Sequence, residues 1–151
     1  MAKMVDVSAK DHVRREAIAS GTLVLKRSTI DLIRKGRVKK GDVITASKLA
    51  GIQAAKATST SLPLCHQIPL TSVEIEVGLK ADRVEMKCKV SATYKTGVEM
   101  EALVGVAVAL LNAWDMVKYL EKDSKGQYPE TKITDIRVLQ KTKEAPVNGN
   151  G

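Results

Sequence analysis

Apolar and polar residues alternate strictly in two neighbouring stretches of the chain. Every second position of 72–79 (SVEIEVGL) is apolar, and 84–90 (VEMKCKV) repeats the pattern after Ala81-Asp82. Successive side chains of a strand point to opposite faces, so this period marks strands that bury one face. The two stretches are therefore predicted to form a β-hairpin, with Cys88 as a small core residue.

Weaker patterns predict two further strands. In 14–26, alternate residues from Ala17 to Leu25 are small or apolar. Arg15 has the same parity, so its charge is expected on the apolar face, an unusual place for a cation. A short last strand is predicted over 133–139.

Three segments carry helix signals. Ser28 is the expected N-cap of a short helix that ends before Gly36, and Asp42 is the expected N-cap of a second helix that runs to about residue 57. A long third helix is predicted over 98–122. The resulting order β-α-α-β-β-α-β predicts an α+β fold, a ferredoxin-like split βαβ arrangement with one antiparallel sheet and helices on one face.

We expect residues 1–151 to form a single domain whose ends, about 1–13 and 143–151, are flexible. The long helix is apolar nearly all round between Ala102 and Ala113. A helix that lies on one sheet needs only one apolar stripe, so a second covering surface is expected, and subunit association would provide it.

Charge and composition narrow the class of function. Lys and Arg outnumber Asp and Glu by 25 to 17, and the net charge of +8 favours anionic partners such as nucleic acid or a phosphorylated metabolite. An aromatic content of 3%, without any Phe, disfavours the stacking of bases on aromatic side chains. A phosphorylated small molecule is therefore the better candidate, with no nucleic-acid partner.

Location is inferred from what the sequence lacks. No apolar run follows the N-terminus, and the longest apolar-rich stretch, 102–114, is shorter than a membrane span. Two cysteines do not make a disulfide framework. We expect a reduced, cytoplasmic protein without a membrane partner.

Two pairs of residues on the long helix are candidates for chemistry, and each has an ordinary structural explanation. Glu99 and Glu101 open the helix, where carboxylates suit the positive end of its dipole. Asp115 and Lys118 lie on one face just after the apolar run. They form either a weak surface ion pair or a proton-transfer pair whose pKa values are tuned by burial and mutual charge.

Two further groups lie outside that helix. Lys40 and Lys56 flank the second helix, and isolated lysines are usually solvated. Cys65 and His66 lie side by side in LPLCHQIPL, a loop stiffened by two prolines; the thiol could simply pack and the imidazole face water. No second cluster with metal-ligand spacing accompanies this pair, so a zinc site is not indicated.

Three segments together resemble the molybdenum cofactor biosynthesis protein C family, the cyclic pyranopterin monophosphate synthases. They are KGDVITASKLAGIQAAKAT, LPLCHQIPLT and KTGVEMEALVGVAVALLNAWDMVK, and MVDVSAK near the N-terminus fits as well. The similarity runs from about residue 4 to 140. It implies an enzyme of molybdenum cofactor synthesis, a lyase that converts 3′,8-cyclo-7,8-dihydroguanosine 5′-triphosphate to cyclic pyranopterin monophosphate and diphosphate.

The resemblance also implies roles for single residues. Asp115 and Lys118 match the catalytic pair, and the repeated proton transfers of this reaction suit a general base and acid. The implied substrate-binding residues are Leu64, Cys65, His66, Met100, Glu101, Glu99, Lys40, Lys56 and Arg15. The basic residues among them suit a triphosphate that loses diphosphate. No resident cofactor is implied, although Mg²⁺ could accompany the substrate phosphates.

The long helix makes a prediction about assembly. Glu99 and Asp115 are 16 residues apart, which is about 24 Å along a straight helix, too far for one nucleotide to contact both in one chain. We therefore expect each site to combine Asp115 and Lys118 of one subunit with Glu99, Glu101 and His66 of another. The resemblance implies a hexamer built as three such dimers.

Two departures from the family pattern leave alternatives open. Gln67 follows His66 where relatives often have proline, and KTKEAPVNGNG replaces the usual Gly-Gly-Lys-Ser-Gly tail, so that Lys141 or Lys143 is the candidate replacement for the missing lysine. The altered tail suggests one alternative, a catalytically weak homo-oligomer. Charge and topology alone favour another, a basic ferredoxin-like domain that binds nucleic acid. The latter predicts exposed aromatic residues on the sheet.

Overall fold

The computed structural model describes residues 1–144. Its elements, in chain order, are β1 (Val13–Val24), α1 (Arg27–Arg34), α2 (Val43–Lys56), α3 (Thr58–Ser61), β2 (Ser72–Leu79), β3 (Arg83–Tyr94), α4 (Glu99–Glu121) and β4 (Lys132–Lys143). Residues 145–151, where most of the expected flexible tail falls, lie outside the described residues. Val13 and Lys143, at the edges of the expected flexible ends, belong to strands.

The four strands form one antiparallel sheet in the order β2-β3-β1-β4. This order, with α1 and α2 between β1 and β2 and with α4 between β3 and β4, confirms the predicted ferredoxin-like α+β fold. The hairpin pairs Val73 with Val90 and Leu79 with Val84, as the alternation predicts. Cys88 is fully buried in the core.

Strand β4 is longer than the predicted 133–139. It lies at the edge of the sheet, and most of its residues are exposed, so its side chains show no clean alternation of apolar and polar positions. Its pairing with β1 is interrupted between Ile18 and Ala19 and between Ser20 and Thr22, while Asp135 has a positive φ of 58°. Because of these irregularities the residue pattern does not reveal the full length of the strand.

The expected capping of α1 by Ser28 is wrong. The helix begins at Arg27, and its N-cap residue, Lys26, makes no capping bond with its side chain. Instead the buried carboxylate of Glu121, at the end of α4, accepts hydrogen bonds from the Lys26 N–H and from the hydroxyls of Thr29 and Thr131. A cap supplied by a residue so distant in sequence leaves no local signal. The Asp42 cap of α2 is confirmed, because its carboxylate accepts from the Thr45 N–H at 3.0 Å.

Helix α4 lies on β1, β3 and β4 and is covered on a second side by α2. Helix α2 therefore supplies part of the second covering surface that the sequence predicts for α4. By length and composition α4 could cross a membrane, but here it is the central helix of the core, and Ala102, Val106 and Leu110 are fully buried. What remains uncovered is a stripe from Met100 to Leu111.

Candidate functional site

Asp115, Lys118 and Lys40 meet at the end of α4 and form what we call the Asp115 cluster. Lys118 Nζ lies 2.9 Å from Asp115 Oδ1, and Lys40 Nζ lies 3.0 Å from Asp115 Oδ2. Lys40 also donates to the Asp115 carbonyl oxygen at 3.3 Å. The turn before α2 thus brings Lys40, 75 residues away in sequence, onto the face of α4 that carries Asp115.

Electrostatics favour the charged forms of Asp115 and Lys118 in the single chain. The hydrogen bond and charge of Lys118, followed by those of Lys40, lower the pKa of Asp115, and Asp115 raises the pKa of Lys118. About half of each side chain is exposed. The expectation that burial tunes this pair is therefore wrong for one chain, because water reaches all three groups. A further covering surface would be needed to desolvate them.

A second group of residues gathers at the other end of α4. This Glu101 cluster comprises Cys65 of the loop after α3 with its chain neighbour His66, Glu99 and Glu101 of α4, and Lys141 of β4. Burial raises the pKa of the Cys65 thiol, and the negative charges of Glu101 and Glu99 raise it further. Lys141 Nζ lies 3.1 Å from Glu99 Oε1. The structure therefore groups these predicted substrate residues with a lysine of the altered C-terminal segment.

Glu101 is the most unusual member of the Glu101 cluster. Its side chain is 3% exposed, and neither carboxyl oxygen has a hydrogen-bond partner among the described residues. Burial, followed by the charge of Glu99, raises its pKa from 4.5 to about 7. A buried polar group without a partner costs stability, so it marks a place where a ligand could supply hydrogen-bond donors.

His66 is held by the N-terminal segment. Its Nε2 lies 2.6 Å from the carbonyl oxygen of Val5, so that Nε2–H donates to this carbonyl. The Lys95 ammonium donates to the Ser8 carbonyl at 3.5 Å in the same region. Sequence reasoning treated this segment only as a loose end, although the MVDVSAK motif marked it.

The remaining predicted residues lie on β1, at the end of α2, in the loop after α3 and at the start of α4. Arg15 points to the core face, as its parity predicts, and donates to the carbonyl oxygens of Tyr94 and Lys95 just before α4. Lys56 lines an open groove of about 660 Å³ with the loop 67–73. Leu64 and Met100 are half exposed. None of these residues contacts the Asp115 cluster.

The two clusters are joined by a stripe of exposed residues on α4. Met100 and Leu111 are 42% and 55% exposed, and Val104 and Ala107 between them are partly exposed. These positions, spaced by three or four residues, share one helix face, and Asp115 and Lys118 continue it. An uncovered apolar stripe therefore runs from the start of α4 to the Asp115 cluster.

Aromatic residues and metal ligands complete the description. Tyr94 packs edge-on against His12, Trp114 packs against Tyr128, and Tyr119 lies on α4, so the aromatic sheet surface expected of a nucleic-acid binder does not occur within residues 1–144. In the same range no group of three His, Cys, Asp or Glu side chains is placed to hold a metal.

Known proteins provide an independent comparison. The model of the MoaC family matches residues 4–144. A protein of Pyrococcus furiosus named probable cyclic pyranopterin monophosphate synthase is 57% identical over 94% of this chain and 91% of its own. Proteins of the same name from Thermococcus kodakarensis and Aeropyrum pernix are 57% and 55% identical, over 93% and 94% of this chain and 90% and 97% of theirs.

Proposed function

Because the chain belongs to the MoaC family, we propose that it is a cyclic pyranopterin monophosphate synthase of molybdenum cofactor biosynthesis. It is a lyase that converts 3′,8-cyclo-7,8-dihydroguanosine 5′-triphosphate to cyclic pyranopterin monophosphate and diphosphate. The observation that carries the proposal is the contact of Lys40 with Asp115 beside Lys118, because the fold brings a family-motif lysine from a distant segment to the family-motif pair on α4.

The chemistry of the Asp115 cluster fits this reaction. Rebuilding the imidazole ring of the substrate into a pyranopterin needs repeated proton transfers, which Asp115 as base and Lys118 as acid can perform. In the single chain their ion pair favours the charged forms. Closure of the site would remove water, and removing water shifts both pKa values towards neutrality.

The Glu101 cluster fits recognition of the same substrate. The Glu101 carboxyl group can accept hydrogen bonds from the N–H edge of a guanine-derived ring, which would satisfy its two unpartnered oxygens. We propose that His66, Lys56, Arg15 and Lys141 supply positive charge for the triphosphate. We propose that Mg²⁺ enters only with the substrate phosphates and that no resident cofactor is used.

We further propose that each active site is shared between two subunits. If two α4 helices pack antiparallel about a two-fold axis between Ala107 and Val108, Val104 of one subunit meets Leu111 of the other. The same register places Met100 opposite Asp115, so the apolar stripe is covered while the two clusters meet. Three such dimers would form the hexamer that family resemblance implies.

The shared site is tested by mixing two inactive variants, Asp115→Asn and Glu101→Gln. After subunit exchange, some interfaces would combine two intact halves, so part of the activity should return. Exchange is followed separately with labelled subunits. Full exchange without recovered activity would place the whole site in one chain.

The activity itself is tested by incubating the purified protein with the cyclised nucleotide and measuring diphosphate and cyclic pyranopterin monophosphate. We expect both products in equal amounts, and their absence would contradict the proposed function.

A cytoplasmic location is proposed as well, since Cys65 and Cys88 are free thiols and suit a reducing compartment.

A further inference from the structure

Tyr119 lies on α4 directly after Lys118 and one helical turn beyond Asp115. Its hydroxyl accepts a hydrogen bond from the backbone N–H of Lys39 at 2.9 Å. The Lys39 ammonium also lies 5.8 Å from the centre of the Tyr119 ring. Two consecutive lysines therefore bind two residues that are one turn apart, Lys39 at Tyr119 and Lys40 at Asp115.

The segment that carries Lys40 has few other attachments. It is a tight turn in which the Gly41 N–H donates to the Val38 carbonyl at 3.0 Å, and Gly36 and Gly41 both have positive φ. Val38 is buried, whereas Lys39 and Lys40 are exposed. Within the described residues, the Tyr119 hydroxyl is the only α4 group that bonds the backbone of this turn.

We propose that Tyr119 is a positioning residue whose hydroxyl fixes the turn so that the Lys40 ammonium reaches Asp115. A lysine side chain has four rotatable bonds, so the position of its Cα decides how often its ammonium occupies one place. Anchoring the neighbouring peptide N–H limits that position. Only the expected effect on kcat/KM rests on the proposed function.

The decisive variant is Tyr119→Phe, which removes the hydroxyl and keeps the ring that faces the Lys39 ammonium. The charged groups against Asp115 are Lys118 from its own helix and Lys40 from the turn, so the pKa of Asp115 reports where Lys40 lies. It is measured by NMR titration of the Asp115 carboxyl carbon in the wild type, Tyr119→Phe, Lys40→Met and the double variant. Tyr94→Phe serves as a matched control at a distant tyrosine.

We expect Tyr119→Phe to raise the pKa of Asp115 in the presence of Lys40 and to change nothing in the Lys40→Met background. With the cyclised nucleotide, kcat/KM should fall about fivefold, the effect of losing one hydrogen bond. No pKa change in Tyr119→Phe, or an equal change with and without Lys40, would overturn the proposal. A wild type without turnover would contradict the proposed function alone, since the titration does not depend on activity.

Discussion

Gly51 of α2 and Gly105 of α4 face each other where the two helices pack. A Cβ atom on Gly51 would lie 2.7 Å from the Gly105 carbonyl oxygen, and one on Gly105 would lie 2.7 Å from Cys88 Sγ of β3 and 3.3 Å from Ala55 Cβ of α2. Neither helix can carry a larger side chain here without moving away from its neighbour. The closeness of α2 and α4, which places the turn with Lys40 beside Asp115, depends on these two glycines.

We expect Gly51→Ala and Gly105→Ala each to lower the free energy of unfolding by about 1–3 kcal/mol, because an added methyl group overpacks this contact. Urea unfolding measures the effect. Gly78→Ala is the control, since its nearest atom would lie 3.8 Å from the new Cβ. Equal stability of all three variants would show that the helices can shift apart at no cost.

Glu101 gives stability an unusual pH dependence. Its pKa rises from 4.5 to about 7 on folding, so between these pH values the folded chain holds a proton that the unfolded chain has lost. Glu101 therefore makes its full contribution to the free energy of unfolding below pH 4.5. This contribution, roughly 3 kcal/mol, is lost as the pH rises to about 7.

Comparison with Glu101→Gln isolates this contribution, because glutamine does not titrate. We expect the difference in free energy of unfolding, variant minus wild type, to be larger at pH 8 than at pH 5. Urea unfolding at both pH values checks it. Parallel pH profiles for the two proteins would mean that Glu101 ionises normally in the folded state.

Asp115→Asn and Lys118→Ala should each reduce turnover by about 10²-fold or more, because they remove a proton acceptor or donor rather than core volume. Thermal unfolding, measured on the same samples, should change little, since both side chains are about half exposed. Asp31→Asn and Arg34→Ala are matched controls, because this pair has the same spacing and similar exposure on α1. Near-full activity of either Asp115→Asn or Lys118→Ala would reject the catalytic assignment.

Lys40→Ala and Lys56→Ala should weaken the binding of a triphosphate analogue, and the loss should shrink at high salt because ions screen the attraction. Titration at two salt concentrations measures this. Lys80→Ala, in the β2–β3 connection, is the control for a lysine distant from both clusters. If all three variants bind alike, Lys40 and Lys56 are solvated lysines without a role in binding.

Sequence reasoning located most elements because local patterns specify them. The alternation in β2 and β3, and the apolar content of α4, come from faces buried against the core. The ends of β4 and the cap of α1 could not be found this way. Edge exposure removes the alternation of β4, and Glu121 caps α1 from a distant position.

The candidate site was less accessible to sequence reasoning. Spacing alone pairs Asp115 with Lys118, but nothing local connects Lys40 to them, and family resemblance marked Lys40 only as a substrate-binding position. The parity of β1 correctly placed Arg15 on the core face, yet its carbonyl partners at Tyr94 and Lys95 depend on how β3 ends. His66 and Tyr119 contact backbone atoms of Val5 and Lys39, and no pattern of side chains in the sequence predicts such contacts.

Helix α4 also determines where the chain can change in length. Each helical residue advances about 1.5 Å and turns the face by about 100°, so one inserted residue between Glu101 and Asp115 would rotate the two clusters apart. A deletion there would have the same effect, and no adjustment of neighbouring loops could restore both faces. The connection at Ala81-Asp82 and residues 122–127, which precede Tyr128, have no such constraint. Natural or engineered insertions are thus expected in these connections, while α4 acts as a ruler of fixed length.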